Sequence, residues 1–335
     1  MSEYIGQAVR PGINITSEAF QSNIGYQVLF GKMLRTGWLP ALLQKESSFD
    51  PAVLEEINNQ YPYLWHRLIH ILAFGYNTGK TLHQLLDDNE ERIQYSCHVG
   101  ALFNLIISMY DYILDEQPVT ENAGDVISSQ LISGLLIGDR QAALLTIREA
   151  NKTIKDPLLH LLLCSIYTWV VYTQRIYAEH KSRDEKLYPY ILALFEAEKK
   201  TLQFGNDSPI EVLRTKSAGP FIAIGKFILE ITPGITIGRH KLFESIVNDT
   251  GNVFWIVDDL SDVQKDLNNG MPNSILIKSK NIPVQTAMDD AVQDLTAAYE
   301  RIKKNTALLC NHDGRSTDLE EYLNINIAGW LKLFE

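Results

Sequence analysis

Cysteine is scarce in this chain. The three present, Cys97, Cys164 and Cys310, are odd in number, far apart and nowhere spaced as Cys-x-x-Cys. They give no sign of a disulfide framework or a zinc site and point to a reducing, cytoplasmic setting. Positive charge is also in deficit: 41 acidic against 30 basic side chains leave a formal net charge of −11. That balance argues against nucleic acid or an anionic membrane as the main partner. It still permits an anionic small ligand, because bound metal ions can invert the local sign. The opening residues, Met1 to Gly6, lack a basic segment leading into an apolar run, so no signal peptide is expected. The most apolar stretch, Leu158 to Tyr172, carries His160, Ser165 and Thr168 and is short for a membrane span. It reads as a buried helix, and no transmembrane segment is expected. Strand-like alternation, repeats of fixed period, low-complexity linkers and composition shifts are missing as well.

What is present is helical periodicity. Apolar residues make up 45% of the 335, enough for a substantial core. Periodicity predicts helices over 18–36, 61–75, 94–115, 122–137, 139–152, 156–181, 184–203, 208–230, 238–268, 283–310 and 316–333. Breakers separate them: Gly37 with Pro40, Asn77 with Gly79, Gln117 with Pro118, Gly205 before Pro209, Pro233 with Gly234, Gly270 with Pro272, and Pro283. The expected fold is a single all-α domain spanning 1–335.

Two of these helices are unusual. Asp258, Asp262 and Asp266 are spaced four and four, which stacks three carboxylates along one helix face. Asp111 and Asp115 repeat the spacing about 150 residues earlier. From Gly100 to Leu114 the helix is apolar nearly all round, the mark of a buried helix. Its small or polar residues, Cys97, Gly100, Asn104 and Ser108, project onto the arc of Asp111 and Asp115. That strip reads as one wall of a cavity, lined by Asn104 and Ser108. The alternative, a solvated stripe, does not explain why the other sides are apolar. The helix around Asp258 is less decisive alone. Val253, Ile256, Leu260, Val263 and Leu267 form an apolar stripe away from the aspartates, as on any amphipathic surface helix. The matching pair at Asp111 and Asp115 favours a site, as does Trp255 one turn before Asp258 on the same arc.

Carboxylates in this pattern suit Mg²⁺, which takes one or two protein carboxylates, waters and substrate phosphate oxygens in octahedral geometry. Aspartates four apart on a helix can share or bracket such ions. Ions held there would draw charge from a diphosphate leaving group. Loss of diphosphate from an allylic carbon leaves a carbocation that aromatic faces stabilise; Trp255, Phe254 and Tyr110 are candidates, although each also reads as plain core. A diphosphate needs cationic donors too. Arg214 and Lys216 precede a small-residue segment, Ser217 to Phe221, where a helix could break or let a substrate approach closely. Arg offers a fork and Lys a point charge; Lys265, inside the second motif, could reach back to the same face.

These residues resemble those of the class I isoprenoid synthases, the superfamily of trans-prenyl diphosphate synthases, squalene and phytoene synthases and class I terpene cyclases. Asp111 and Asp115 resemble the family's first aspartate-rich motif in its DxxxD form. Asp258, Asp259, Asp262 and Asp266 resemble the DDxxDxxxD motif of the prenyltransferase branch and occupy the three metal-ligand spacings of the cyclase NSE motif. Lys216, Ser217 and Ala218 are similar to a Lys-Thr segment whose lysine contacts diphosphate, and Asn269 to Leu276 to the loop after the second motif. The resemblance covers roughly residues 95–280. It implies an all-α bundle around a deep central apolar cavity, the isoprenoid synthase fold, with both motifs at its mouth. Three Mg²⁺ ions, a prenyl diphosphate substrate and, by analogy, a homodimer are implied with it.

The departures bear on the reaction. Chain-elongating relatives carry arginines just after the first motif to hold a second diphosphate; here Glu116, Gln117, Pro118, Val119 and Thr120 follow. The Asn and Ser of ordinary bacterial cyclases are missing from the second motif. Their C-terminal Arg-Tyr pair has only a loose counterpart in Arg315 and Tyr322. The arginine-rich surroundings of squalene and phytoene synthase motifs are missing too. The expectation is therefore a Mg²⁺-dependent class I terpene synthase that ionises one linear prenyl diphosphate, cyclises or quenches the carbocation and releases diphosphate. In it Asp111, Asp115, Asp258, Asp262 and Asp266 hold metal, while Arg214, Lys216 and Lys265 bind diphosphate. Trp255, Asn104 and Ser108 line the cavity. The alternatives are a prenyltransferase, chain-elongating or head-to-head, and a non-catalytic helical regulatory subunit; the intact metal motifs argue against the last.

Overall fold

Proline, a breaker by sequence, more often starts a helix in this protein. The computed structural model describes residues 37–115, 145, 149, 156–180, 187–310 and 315–331; among them the only regular structure is helical, with no strand. The described residues have the expected all-α class. The predicted helices over 18–36 and 122–137, and most of 139–152, lie outside the described residues, as do residues 116–120. Chain contacts define two compact units.

One unit contains the described residues up to Lys80 and from Glu90 to Glu196. Its helices are α1 (Trp38–Ser47), α2 (Ala52–Gln60), α3 (Pro62–Gln84), α4 (Glu90–Asp115), α5 (Pro157–His180) and the first half of α6 (Leu187–Phe204). Neither α1 nor α2 is among the predicted helices; Gly37 and Pro40, at the start of α1, read as breakers. Pro40 instead sits in the first turn of α1 and Pro62 opens α3. There the missing N–H would have no helical partner in any case. At α5 the same logic is legible in sequence: Pro157 is the first helical residue, and Asp156 Oδ1 accepts from the N–H groups of Leu158 (2.8 Å) and Leu159 (3.0 Å). The helix then buries every residue from Leu161 to Thr173, packed against α1, α2 and α4. With each fully buried Leu or Ile contributing about 1.5–3 kcal/mol, α5 is the core of this unit. By length and composition one described helix could cross a membrane: Glu90–Leu114 in α4, with 67% of its apolar window buried.

The other unit contains Thr81–Asn89 and the described residues from Ala197 onward. After the end of α6 it holds α7 (Ile210–Ile231), α8 (Ile237–Asn269), α9 (Ser274–Ser279), α10 (Val284–Cys310) and α11 (Arg315–Trp330). The axis is α8, 33 residues and about 50 Å long, packed against α7, α10 and α11. Thr236 caps its start by accepting from the Arg239 N–H, and Gly270 ends it in the left-handed conformation at φ 68°. Phe243, Ile246, Val253, Phe254, Val257, Leu260 and Val263 form its buried face. Two members of the predicted stripe depart from it. Leu267 is 60% exposed, and Ile256 is only half-buried.

The helix predicted over 208–230 runs unbroken: of the two readings of Ser217–Phe221, a break or a place of close approach, the break does not occur, and the helix continues through Gly219 and Pro220. A proline nitrogen cannot donate to the carbonyl four residues back, here that of Lys216. Burial holds the helix together across this gap: Ala218, Gly219, Pro220 and Phe221 are all buried. The small residues let α8 approach, since a Cβ on Gly251 would meet the Ala218 carbonyl oxygen at 2.8 Å. One step along, Phe221 and Phe254 stack with centroids 4.9 Å apart.

Candidate functional site

Asp111 lies on α4, one turn from its end, and is half-buried; Asp115 is the last residue of that helix, and its side chain lies outside the described part. The strip leading to them is placed differently from the expectation. Gly100 faces Gly75 of α3 so closely that a Cβ on either would strike the other's carbonyl, and a Cβ on Gly79 would strike the Ser96 carbonyl. Cys97 is buried beside this seam at 1% exposure, and burial pushes its thiol up to about 12. Asn104 donates from Nδ2 to the Ile71 carbonyl at 2.8 Å. From Cys97 to Asn104 the strip is thus a helix–helix seam in which small residues admit the backbone of α3. Gly79, read as part of a break, belongs to an α3 that continues to Gln84. Ser108 is half-buried one turn before Asp111. Tyr110 is core: fully buried, with its ring edge-on to Phe195 at 4.7 Å.

The second motif sits on the unbroken α8. Asp258 is exposed, Asp262 and Asp266 are half-buried, and Trp255 is half-buried one turn before. The Ser261 hydroxyl donates to Asp262 Oδ1 at 3.1 Å and to the Asp258 carbonyl at 3.1 Å. Asp266 is the most tightly held of the three: Asn273 Nδ2 donates to its Oδ2 at 2.9 Å. Burial raises the Asp266 carboxyl; the Asn273 hydrogen bond lowers it, the charge of Asp262 raises it, and the charges of Lys265 and Lys216 lower it, for a net rise.

Asp259 does something the motif alone does not indicate. It turns inward, 8% exposed, and accepts from the Ser274 N–H at 3.3 Å and from the Ser274 hydroxyl. Burial pushes its carboxyl up to about 6, against the lowering effect of the Ser274 bonds. Asn273, fully buried, joins the same anchor. Its Nδ2 also donates to the Asp259 carbonyl at 2.8 Å, while its Oδ1 caps α9 by accepting from the Ile275 N–H at 3.0 Å. The loop after α8 is thereby fastened to the motif helix at both Asp259 and Asp266. Asparagine followed by serine ahead of an apolar run is an N-cap signal, so Asn273 was readable as a cap; its hold on Asp266 was not.

The expected cations take separate places. Lys216 Nζ lies 3.0 Å from Glu198 Oε2 of α6, a carboxylate the sequence reading did not single out. Lys265 Nζ is 3.7 Å from Asp262 Oδ2, both side chains well exposed, so that pair contributes little. Arg214 donates from Nε to Asn252 Oδ1 at 2.9 Å and has Nη1 3.6 Å from Glu211. Asn252 precedes Asp258 on α8 by six residues, about 9 Å. Of the three, Lys216 and Lys265 act on Asp266, and Arg214 is held further up the helix.

Among the described residues no three His, Cys, Asp or Glu side chains converge as a ready ligand set. The donors on α8 nonetheless fit Mg²⁺ in kind: hard carboxylate oxygens on one helix face, with Asp262 and Asp266 close enough that like charge acts between them. No protein-family model matches the chain and no curated protein matches it.

Proposed function

We propose that the protein is a Mg²⁺-dependent class I terpene synthase. It would ionise a linear prenyl diphosphate, cyclise or quench the resulting carbocation, and release diphosphate. The observation that carries this reading is the end of α8, where Asp258, Asp262 and Asp266 share one helix face and Asn273 holds the half-buried Asp266 carboxylate at 2.9 Å. Asp111, Asp115, Asp258, Asp262 and Asp266 are the residues that would hold Mg²⁺. The bound ions would supply Lewis-acid withdrawal of charge from the leaving diphosphate. Lys216 and Lys265 bind its oxygens as point charges, and Arg214 offers a fork. Asn273 keeps the Asp266 carboxylate in one orientation, so that its free energy of ordering is met on folding rather than on binding. The acidic and amide residues at 116–120, where elongating relatives have arginines, favour one diphosphate over two.

The experiment is incubation of purified protein with C10 to C25 prenyl diphosphates and Mg²⁺, followed by gas chromatography–mass spectrometry and a diphosphate assay. A hydrocarbon or alcohol with one diphosphate released per substrate supports the reading. Turnover that requires isopentenyl diphosphate and yields a longer diphosphate replaces it with chain elongation. Asp115→Ala should abolish diphosphate release with helicity intact; undiminished release in that variant removes the first motif from the mechanism.

A further inference from the structure

Asp266 is held in a way that Asp262 is not. Asp262 meets Ser261 and Lys265, both exposed on α8 itself. Water replaces partners of that kind at little cost. Asn273 is fully buried and reaches α8 from the loop that follows it. A primary amide has two protons and one oxygen to offer, and here each is engaged. Nδ2 donates to the Asp259 carbonyl at 2.8 Å and to Asp266 Oδ2 at 2.9 Å, while Oδ1 accepts from the Ile275 N–H at 3.0 Å. A flipped amide would set its oxygen against two acceptor oxygens and its NH₂ against an N–H, so this network permits one orientation. Turning Asp266 away would strand a buried donor, which is unfavourable. Its Oδ2 is therefore committed to the protein. Among the described residues no donor reaches Oδ1, and the side chain is only half-buried, so Oδ1 is the oxygen left for a ligand.

How many oxygens a carboxylate can turn toward a cation bears on which cation it suits. Ca²⁺ is large, gathers more oxygens in flexible geometry and accepts a carboxylate through one oxygen or both. Mg²⁺ is smaller and demands near-octahedral geometry, so a fixed carboxylate that presents one oxygen suits it better. We propose that Asn273 is a positioning residue that sets ion preference: by occupying Asp266 Oδ2 it leaves Oδ1 alone to meet a cation, and so favours Mg²⁺ over Ca²⁺ on this face of α8. The inference rests on the reading of that face as a metal site and adds the residue that selects the ion. If Asn273 only capped α9 and fastened the loop, its loss would change the affinity for both ions alike.

The test is terbium luminescence, excited through tryptophan, on the full chain without substrate. Bound Tb³⁺ is displaced with MgCl₂ and, separately, with CaCl₂. The proteins are wild type, Asn273→Ser, Asp266→Glu, Asp266→Asn and the Asp266→Asn/Asn273→Ser double variant, each confirmed as folded by circular dichroism. Serine still caps α9 but is too short to reach Asp266. In Asn273→Ser the Mg²⁺ affinity should fall about tenfold, as on losing an outer partner of a metal ligand. Ca²⁺, free to use both Asp266 oxygens, should not weaken, so the preference moves toward Ca²⁺ by about tenfold. In the Asp266→Asn background the serine change should leave the preference unmoved, because its effect passes through that carboxylate. Equal loss for both ions in Asn273→Ser overturns the proposal, as does an undiminished shift in the Asp266→Asn background. Should Asn273→Ser fail to fold, Asp266→Glu decides: it carries the carboxylate past the amide, and an unmoved preference there overturns the inference. Tb³⁺ that does not bind the wild type, or that binds Asp266→Asn equally well, refutes the metal reading and this inference together, a result distinct from any change in preference.

Discussion

Gly100→Ala is the sharpest test of how α3 and α4 meet. In an exposed helix interior the change would raise helix propensity by up to about 1 kcal/mol. Here the new methyl group would strike the Gly75 carbonyl oxygen, with the Gly75 carbonyl carbon at 3.3 Å and the Gly79 Cα at 3.5 Å. All three obstacles are backbone, so no side chain can rotate aside and the two helices must separate. Overpacking of this sort costs about 1–3 kcal/mol, toward the upper end when backbone has to move. Subtracting the propensity gain leaves a net destabilisation of about 1–2 kcal/mol. Gly329→Ala is the matched control. A Cβ there meets nothing within 4 Å, so the same substitution should be neutral or stabilising by up to about 1 kcal/mol. Urea denaturation followed by circular dichroism reads both, as a shift of midpoint at constant slope. A Gly100→Ala protein as stable as wild type would refute the close helix contact and return the strip to the role of an open wall.

Two further outcomes follow from the anchor beneath the second motif. Burial raises the Asp259 carboxyl from 3.8 to about 6, so the folded chain holds that proton more tightly than the unfolded chain. Its contribution to stability is then fully present below pH 4 and lost as pH rises through 6, a change of about 3 kcal/mol. In metal-free buffer the stability of Asp259→Asn relative to wild type should therefore grow between pH 4 and 7, as read by urea denaturation; a constant difference contradicts it. Asn273→Ala removes the α9 cap and two buried donors at once and should cost about 2–3 kcal/mol by the same assay. A cost within about 0.5 kcal/mol would mean that the loop is not fastened through Asn273.

Much of the architecture was legible without coordinates. The helical class, the helices now seen as α3 to α8, α10 and α11, and the buried character of Leu158–Tyr172 follow from periodicity and apolar content. Two misplaced helix boundaries share one cause. Pro40 and Gly79 were read for what they do to an isolated helix, where they interrupt it, and Gly219 and Pro220 as a place where one could break. In the folded protein Pro40 sits in a first turn that needs no N–H, Gly79 admits a neighbouring backbone, and Gly219 and Pro220 are carried by burial. Local signals report intrinsic preference, and packing between helices outweighs a preference of a few kcal/mol.

The sequence by itself determined which groups are present and in what spacing along a helix: Asp258, Asp262 and Asp266 on one face, Asp111 and Asp115 at the end of an apolar one, and no arginine among residues 116–120. Spacing within a helix is fixed by 3.6 residues per turn, so it needs no tertiary knowledge. Only the tertiary structure decided which of those groups are held and by what. It turned Asp259 inward onto Ser274, fastened Asp266 to Asn273, and gave Lys216 a buried partner in Glu198. It also spent the small residues of α4 on contact with α3. Those partners lie from 7 to 25 residues away in sequence, and no local period encodes them. They meet because burying apolar faces fixes which helices lie side by side.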